Sequence, residues 1–141
     1  MAIQITKVDV WAGEIQDQPG STADVLQALA EAGAEIECVI ARRQAEKPGT
    51  GVIFVSPIKG KKAQAAARAA GLSSSPNLAT LRIEAPYRPD AGAKVGRAIE
   101  AAGINVRGVT GVKVGKNLVA YIGFDSDDDA KKAMKALQKM I

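Results

Sequence analysis

Apolar and polar residues alternate at the start of the chain, where Ile3, Ile5, Val8, Val10 and Trp11 run on through Ala12 to Ile15. The spacing predicts a strand with an irregularity midway, whose first residues pair with a different neighbour from its last. Pro19 and Gly20 then predict a turn, with Ser21 or Thr22 capping the helix that follows. In that helix Val25, Leu29 and Ala32 recur at i, i+4 and i+7 while Asp24, Gln27 and Glu31 take the other face, and Gly33 ends it. Ile36 to Arg43 reads as a strand, Glu46 to Gly49 as a turn, and the dense β run Gly51 to Ser56 as its hairpin partner. Ser56 is placed as an N-cap and Pro57 as the first residue of an Ala-rich helix to about Ala70, closed by Gly71.

The pattern then repeats. Moved by seventy positions, Asp17 to Ile36 falls on Tyr87 to Val106 without a gap, so that Pro19 meets Pro89, Ala28 meets Ala98, and Gly33 meets Gly103. The same displacement pairs Glu14 with Glu84, Val39 with Val109, Phe54 with Phe124, Ser56 with Ser126, and Lys61, Lys62 and Ala63 with Lys131, Lys132 and Ala133. One register held through turns, helices and strands marks two copies of one supersecondary unit, residues 1–71 and 72–141. The second copy predicts a strand through Leu81 and Ile83, a helix from about Asp90 to Ala102, strands Ile104 to Thr110 and Leu118 to Phe124 around a turn at Gly115 to Asn117, and a helix from Asp127 to Lys139. Leu72 to Ala85 is expected to finish the first sheet and begin the second. Ile3 to Lys7 is expected to fill the missing last strand of the second copy, an exchange of strands between the repeats. The order β α β β α β is the ferredoxin-like arrangement, an α+β fold. The expected architecture is two such units with their antiparallel sheets joined side by side and helices on one face.

Composition restricts the chemistry. With 141 residues, 47% hydrophobic and 24% charged, the chain is an ordinary globular polypeptide. Cys38 is the single cysteine, which rules out an intrachain disulfide and fits a reducing compartment. No signal segment or membrane-length apolar run is present, so a cytoplasmic location without a membrane partner is expected. The net charge of +4 is spread along the chain, and the strands offer only Phe54 and Phe124 for stacking on bases, which argues against a nucleic-acid partner. There is no histidine, no paired acids at catalytic spacing and no nucleophile motif, so neither an enzyme nor a cofactor is expected. Asp125, Asp127 and Asp129 alternate like the opening of a calcium loop but lack its glycine and closing glutamate; they read as acids at a helix start, and no metal site is expected.

The repeated turn and helix, with DQPGS and then ALAEAG in the first copy and EAAGINV in the second, resemble the ACT domain, the small-molecule-sensing module of amino-acid metabolism. The whole chain is similar to stand-alone tandem ACT proteins, made of two such modules. Copy one keeps Asp17, Pro19, Gly20 and Gly33 but has Ala34-Glu35-Ile36 where the family has Ile-Asn-Ile. Copy two keeps Pro89 and Gly103-Ile104-Asn105-Val106 but has Tyr87 for the acid and Asp90 for the glycine.

A loop that opens a helix presents unpaired amides and the positive end of the helix dipole, which suits a carboxylate. Asp17 at its mouth suits an ammonium group, and the resemblance implies an α-amino acid as ligand there. The candidate ligand-binding residues are therefore Asp17, Gln18, Pro19, Gly20, Ser21 and Thr22 in the loop. Ile36, Glu37 and Cys38 join them from the strand that the resemblance places at a module interface, with Arg88 and Asn105 in the second copy. From residue types alone, Pro19 to Ser21 as a plain turn and cap stands equally open. Cys38 reads most simply as a small buried residue, and Asp90 as a structural cap. Two functions compete: a non-catalytic sensor that binds an amino acid as a homodimer, and a regulatory or scaffolding subunit that binds a protein partner, such as a metabolic enzyme, with its ligand site degenerate.

Overall fold

The computed structural model describes residues 3–140. In chain order the elements are β1 (Gln4–Val8), β2 (Trp11–Gln16), α1 (Ser21–Glu31), β3 (Cys38–Arg43), β4 (Thr50–Ser56), α2 (Lys61–Ala69), β5 (Ser73–Ser74), a short 3-10 turn (Pro76–Leu78), β6 (Thr80–Pro86), α3 (Ala91–Ala101), β7 (Gly108–Val114), β8 (Asn117–Gly123) and α4 (Asp127–Gln138). One compact unit holds residues 9–75; the other joins the residues up to Val8 to those from Pro76 onward.

The first unit carries a four-stranded antiparallel sheet in the order β3-β4-β2-β5. Trp11 of β2 lies opposite Val55 of β4, and both join Val25 and Leu29 of α1 and Ala63 and Ala67 of α2 in one buried cluster. Both helices therefore cover the same face. Gly13 sits in the middle of β2 because the chain passes close by: a Cβ there would meet the Gly71 carbonyl oxygen at 2.5 Å and Leu72 Cδ2 at 2.7 Å.

Two expectations for this unit are corrected. Helix α1 has Gly20, not Ser21 or Thr22, as its N-cap, with φ at 91° and no capping side chain. Ser21 is already helical. Ser56 likewise does not cap α2; it ends β4 and its hydroxyl donates to the Asp9 carbonyl at 2.7 Å. The helix begins only at Lys61 because Ile58 is drawn into the core at 1% exposure, and the intervening residues must loop to deliver it. Burying such a side chain stabilises by about 1.5–3 kcal/mol, more than a single helical turn gains.

The second unit has a sheet of the same design in the order β1-β6-β8-β7. Gln4 pairs with Glu84 and Val8 with Thr80, so the N-terminal strand fills the last place of this sheet, as its spacing led us to expect. The first unit closes its own sheet with Ser73 and Ser74, which pair with Ala12 and Trp11. Leu81, Ile83 and Ala85 of β6 alternate inward against Val95 and Ile99 of α3 and Ala130, Ala133 and Leu137 of α4. Phe124, fully buried, plugs the end of that core.

The repeat is kept in the helices and lost in one strand. Arg43 pairs with Gly51, whereas Lys113, seventy positions on, pairs with Leu118, so the second hairpin is three residues shorter. Helix α4 restores the register by starting a turn earlier, with 12 residues against 9 in α2, so that Ala63 and Ala67 correspond to Ala133 and Leu137. Phe54 and Phe124 are therefore not equivalent; the ladders match Phe54 with Tyr121. The strand predicted at Ile104 to Thr110 also starts later, at Gly108, since the Ile104 amide still bonds back to the Ile99 carbonyl at 3.3 Å.

Candidate functional site

The loop from Asp17 to Thr22 joins β2 to α1, and Asp17 to Gly20 are exposed. Its backbone is held by two neighbours: the Asp17 amide donates to the Gly49 carbonyl at 3.0 Å, and the Gln18 amide to the Gln16 carbonyl at 3.0 Å. The Ser21 amide reaches the Gln18 carbonyl at 3.4 Å, while the Asp24 amide at 2.8 Å from the Gly20 carbonyl is the first bond of the helix. The amides of Thr22 and Ala23, in the first turn, have no acceptor within the helix and face out of its positive end. Gly20 adopts the left-handed backbone that glycine alone takes without strain, and nothing lies within 4 Å of where a Cβ would be. The loop is thus open to a small anion. Its acid is engaged, however: Arg43, at the end of β3, places Nε 2.5 Å from the Asp17 carboxylate. Sequence reading missed Arg43 because the pairing spans a hairpin, and only the β2–β4–β3 ladder brings the two together.

The other candidates do not gather around this loop. In a β α β path, the loop leaves β2 at one end of the sheet, while Ile36, Glu37 and Cys38 enter β3 at the other. The length of β3 separates them, roughly 17 Å at the usual rise per residue. Ile36 packs half-buried on the core, and the exposed Glu37 donates its amide to the Ser56 carbonyl at 2.9 Å. Cys38 is half-buried opposite Ser56 rather than sealed in the core, and burial pushes its thiol pKa up.

In the second unit Arg88 is exposed in the loop before α3, where its carbonyl accepts from the Ala91 amide at 3.0 Å. Asp90 stands at the N-cap position but makes no capping bond; its carboxylate pairs with Lys94 at 3.4 Å. Tyr87 lies under the Lys113 ammonium, 5.0 Å from the ring centre. Asn105 is exposed and lines an open cleft of about 780 Å³ between α3 and the β7–β8 hairpin. The cleft is walled by Gly92, Gly96, Val106, Val109 and Ala120, with Arg97 and Glu100, themselves paired at 2.7 Å, among its lining residues. Sequence reading did not foresee it, because it depends on how far α3 stops short of covering β7. The Arg107 guanidinium donates to the Asn77 carbonyl.

Of the acids that resemble a calcium loop, Asp127 and Asp129 open helix α4. The Ser126 hydroxyl accepts from the Asp129 amide at 3.1 Å as a helix cap, Asp127 pairs with Lys7 at 2.7 Å, and Asp128 with Lys132 at 3.7 Å. Among the described residues no group of three His, Cys, Asp or Glu is gathered as metal ligands, and no helix is long and apolar enough to cross a membrane.

No protein-family model and no curated protein matches the sequence. Solved structures match throughout. The ligand-free regulatory subunit of aspartate kinase from Thermus thermophilus superposes with a TM-score of 0.68 over 99% of this chain and 96% of that one, at 21% identity. A protein of Bacteroides thetaiotaomicron superposes with a TM-score of 0.78 over 95% of this chain and 90% of its own, at 15% identity. Aspartokinase III of E. coli, solved with aspartate and ADP, matches 98% of this chain with 32% of its own, at 12% identity and a TM-score of 0.64. The shared feature is the fold, two ferredoxin-like repeats of the ACT type in one polypeptide.

Proposed function

We propose that this protein is a non-catalytic regulatory subunit that binds a small amino acid or related zwitterion and acts as a homodimer in the cytoplasm. The observation that carries the reading is the likeness of both repeats to a regulatory subunit of aspartate kinase, over 99% of this chain and 96% of that subunit. The loop at Pro19 and Gly20 supports the ligand: it is exposed, it offers first-turn amides to a carboxylate, and the Asp17–Arg43 pair beside it can exchange partners with the two charges of an amino acid. Calorimetric titration with a panel of amino acids is expected to show saturable heat for at least one, lost when Gly20 is replaced by Val. Flat traces for all of them at millimolar concentration defeat this reading.

A second reading is favoured by one observation, that Asp17 and Asp90 are each already satisfied by a cation of their own unit. On that reading the chain is a scaffolding subunit that binds a protein partner, with aspartate-kinase-like enzymes as the natural class to test. Co-purification from the host that is indifferent to added amino acids distinguishes it from the sensor.

A further inference from the structure

The chain passes between its two units twice, and the second passage runs from β5 into the 3-10 turn ahead of β6. Strand β5 closes the first sheet, yet it has two residues, both exposed, against the five of β1 in the same place in the second sheet. So short a ladder does not offset the entropy of ordering the chain that forms it. Side chains make up the difference. The Asp9 carboxylate accepts from the Ser74 hydroxyl at 3.0 Å and, through its other oxygen, from the Trp11 indole Nε1 at 2.7 Å. Trp11 is buried, with the Arg68 guanidinium 5.3 Å from its ring centre, and the Asp9 carbonyl accepts from the Ser56 hydroxyl at 2.7 Å, so Asp9 is held on two sides. A buried indole needs one acceptor, which leaves the second carboxylate oxygen for the departing strand. In the second repeat, where the edge strand is long, Ala79 and Leu81 stand in the places of Asp9 and Trp11.

The chain is pinned again as it enters the second unit. The Arg107 guanidinium donates to the Asn77 carbonyl in the 3-10 turn, and Arg107 is itself anchored, its amide donating to the Gly123 carbonyl at 2.7 Å. The Thr80 hydroxyl then donates to the Leu78 carbonyl at 2.7 Å, and the Phe124 amide to the Ala79 carbonyl at 2.8 Å, which leads the chain into β6. The other passage has no slack either, since β1 is paired through Val8 and the next residue is Asp9.

We propose that Asp9 and Arg107 are positioning residues that act as two catches on the segment from β5 to β6. Asp9 holds its first part to the first unit, Arg107 holds its second part to the second unit, and the segment is a stiff strut and not a slack tether. This goes beyond the regulatory reading above and depends on no ligand. Residues at the ends of elements are where backbone change is absorbed when parts of a protein move. A strut passes a displacement of β5 on to β6, whereas a tether of the same length absorbs it, so the two catches set how firmly one repeat is linked to the other. The hydrogen bonds to Asp9 are charge-assisted on the acceptor side and that from Arg107 on the donor side, which makes each stronger than a neutral bond between exposed groups.

The test is backbone 15N relaxation on the purified protein without amino acids. In the wild type, residues 73–75 and 77–78 are expected at order parameters of about 0.85, as in the flanking strands. Ser74→Ala is expected to drop residues 73–75 below about 0.6 and leave 77–78 unchanged, and Arg107→Ala to loosen 77–78 and leave 73–75 ordered. Both positions are exposed, so the thermal melt of either variant is expected to match the wild type. Trp11 is the single tryptophan and gives one indole N–H resonance, expected to keep its position in Ser74→Ala and to move in Asp9→Ala, where residues 73–75 also loosen. Should Asp9→Ala fail to fold, Ser74→Ala reads the same catch without disturbing Trp11. A wild type already mobile over 73–78 overturns the proposal. So does a Ser74→Ala chain that stays ordered at 73–75, which leaves Asp9 serving the indole alone, or an Arg107→Ala chain that stays ordered at 77–78. Because ligand is absent throughout, these outcomes are independent of whether an amino acid binds.

Discussion

Gly13 shows how much one missing side chain can decide. It lies mid-strand where propensity disfavours glycine, yet the Gly71 carbonyl and the Leu72 side chain occupy the space a methyl group would need. Gly13→Ala is expected to destabilise the protein by about 1–3 kcal/mol in urea denaturation, the usual cost of overpacking against backbone that cannot yield. Cys38 makes a second prediction at this scale. With its thiol held above the ordinary range by burial, less thiolate is present at any pH, so iodoacetamide is expected to alkylate it more slowly than free cysteine at pH near 8. A rate equal to or above that of free cysteine contradicts the half-buried placement. The candidate site was half legible at the level of single residues. Pro19 and Gly20 announce an open bend before a helix by their own backbone limits, but Asp17's cation is set by a ladder that links distant stretches.

Among the elements, the N-caps of the helices differ in kind. Gly20 and Gly60 open α1 and α2 without a side-chain bond, whereas Ser126 opens α4 with its hydroxyl on the Asp129 amide. Ser126→Ala is expected to cost about 0.5–2 kcal/mol, and Ser56→Ala is not expected to unravel the start of α2, since Ser56 bonds β4 to Asp9 instead. Comparative denaturant midpoints of the two variants, with α-helical signal as the probe, check this. The helices could be read from the repeat because their buried faces hold their period against drift. Strand β8 was legible from its own pattern to within one residue, but its register was not legible from the repeat, because hairpin length is set by turn chemistry and a two-residue turn at Gly115 and Lys116 replaces a longer one without disturbing any apolar spacing. The coincidence of Phe54 with Phe124 was an accident of composition for the same reason. Helix α2 was misread at its start since Ser-Pro is a sound local signal for a helix, and the pull of Ile58 into the core is not local.

For the molecule as a whole, the salt bridge between Lys7 and Asp127 ties the first strand to the last helix of the same unit. The hydrogen bond from Lys7 holds the Asp127 carboxyl below its usual pKa, outweighing a smaller opposing effect of burial. A carboxyl depressed in the folded state adds stability that is complete above its unfolded value and fades as the pH falls through the folded one. Asp127→Asn is therefore expected to melt below the wild type at neutral pH, and the gap to close as the pH falls through the lowered pKa of the folded state. A gap that persists in acid means the pair contributes by packing and not by charge. Because Gln4 to Val8 answers Glu84 to Thr80, this ribbon is made before its partner and must wait, unsatisfied, while the inserted module of residues 9–75 is synthesised and closes. During that interval a nascent neighbour's β6 is as good a partner as its own, and swapped chains are the misassembly to which this order of translation is exposed.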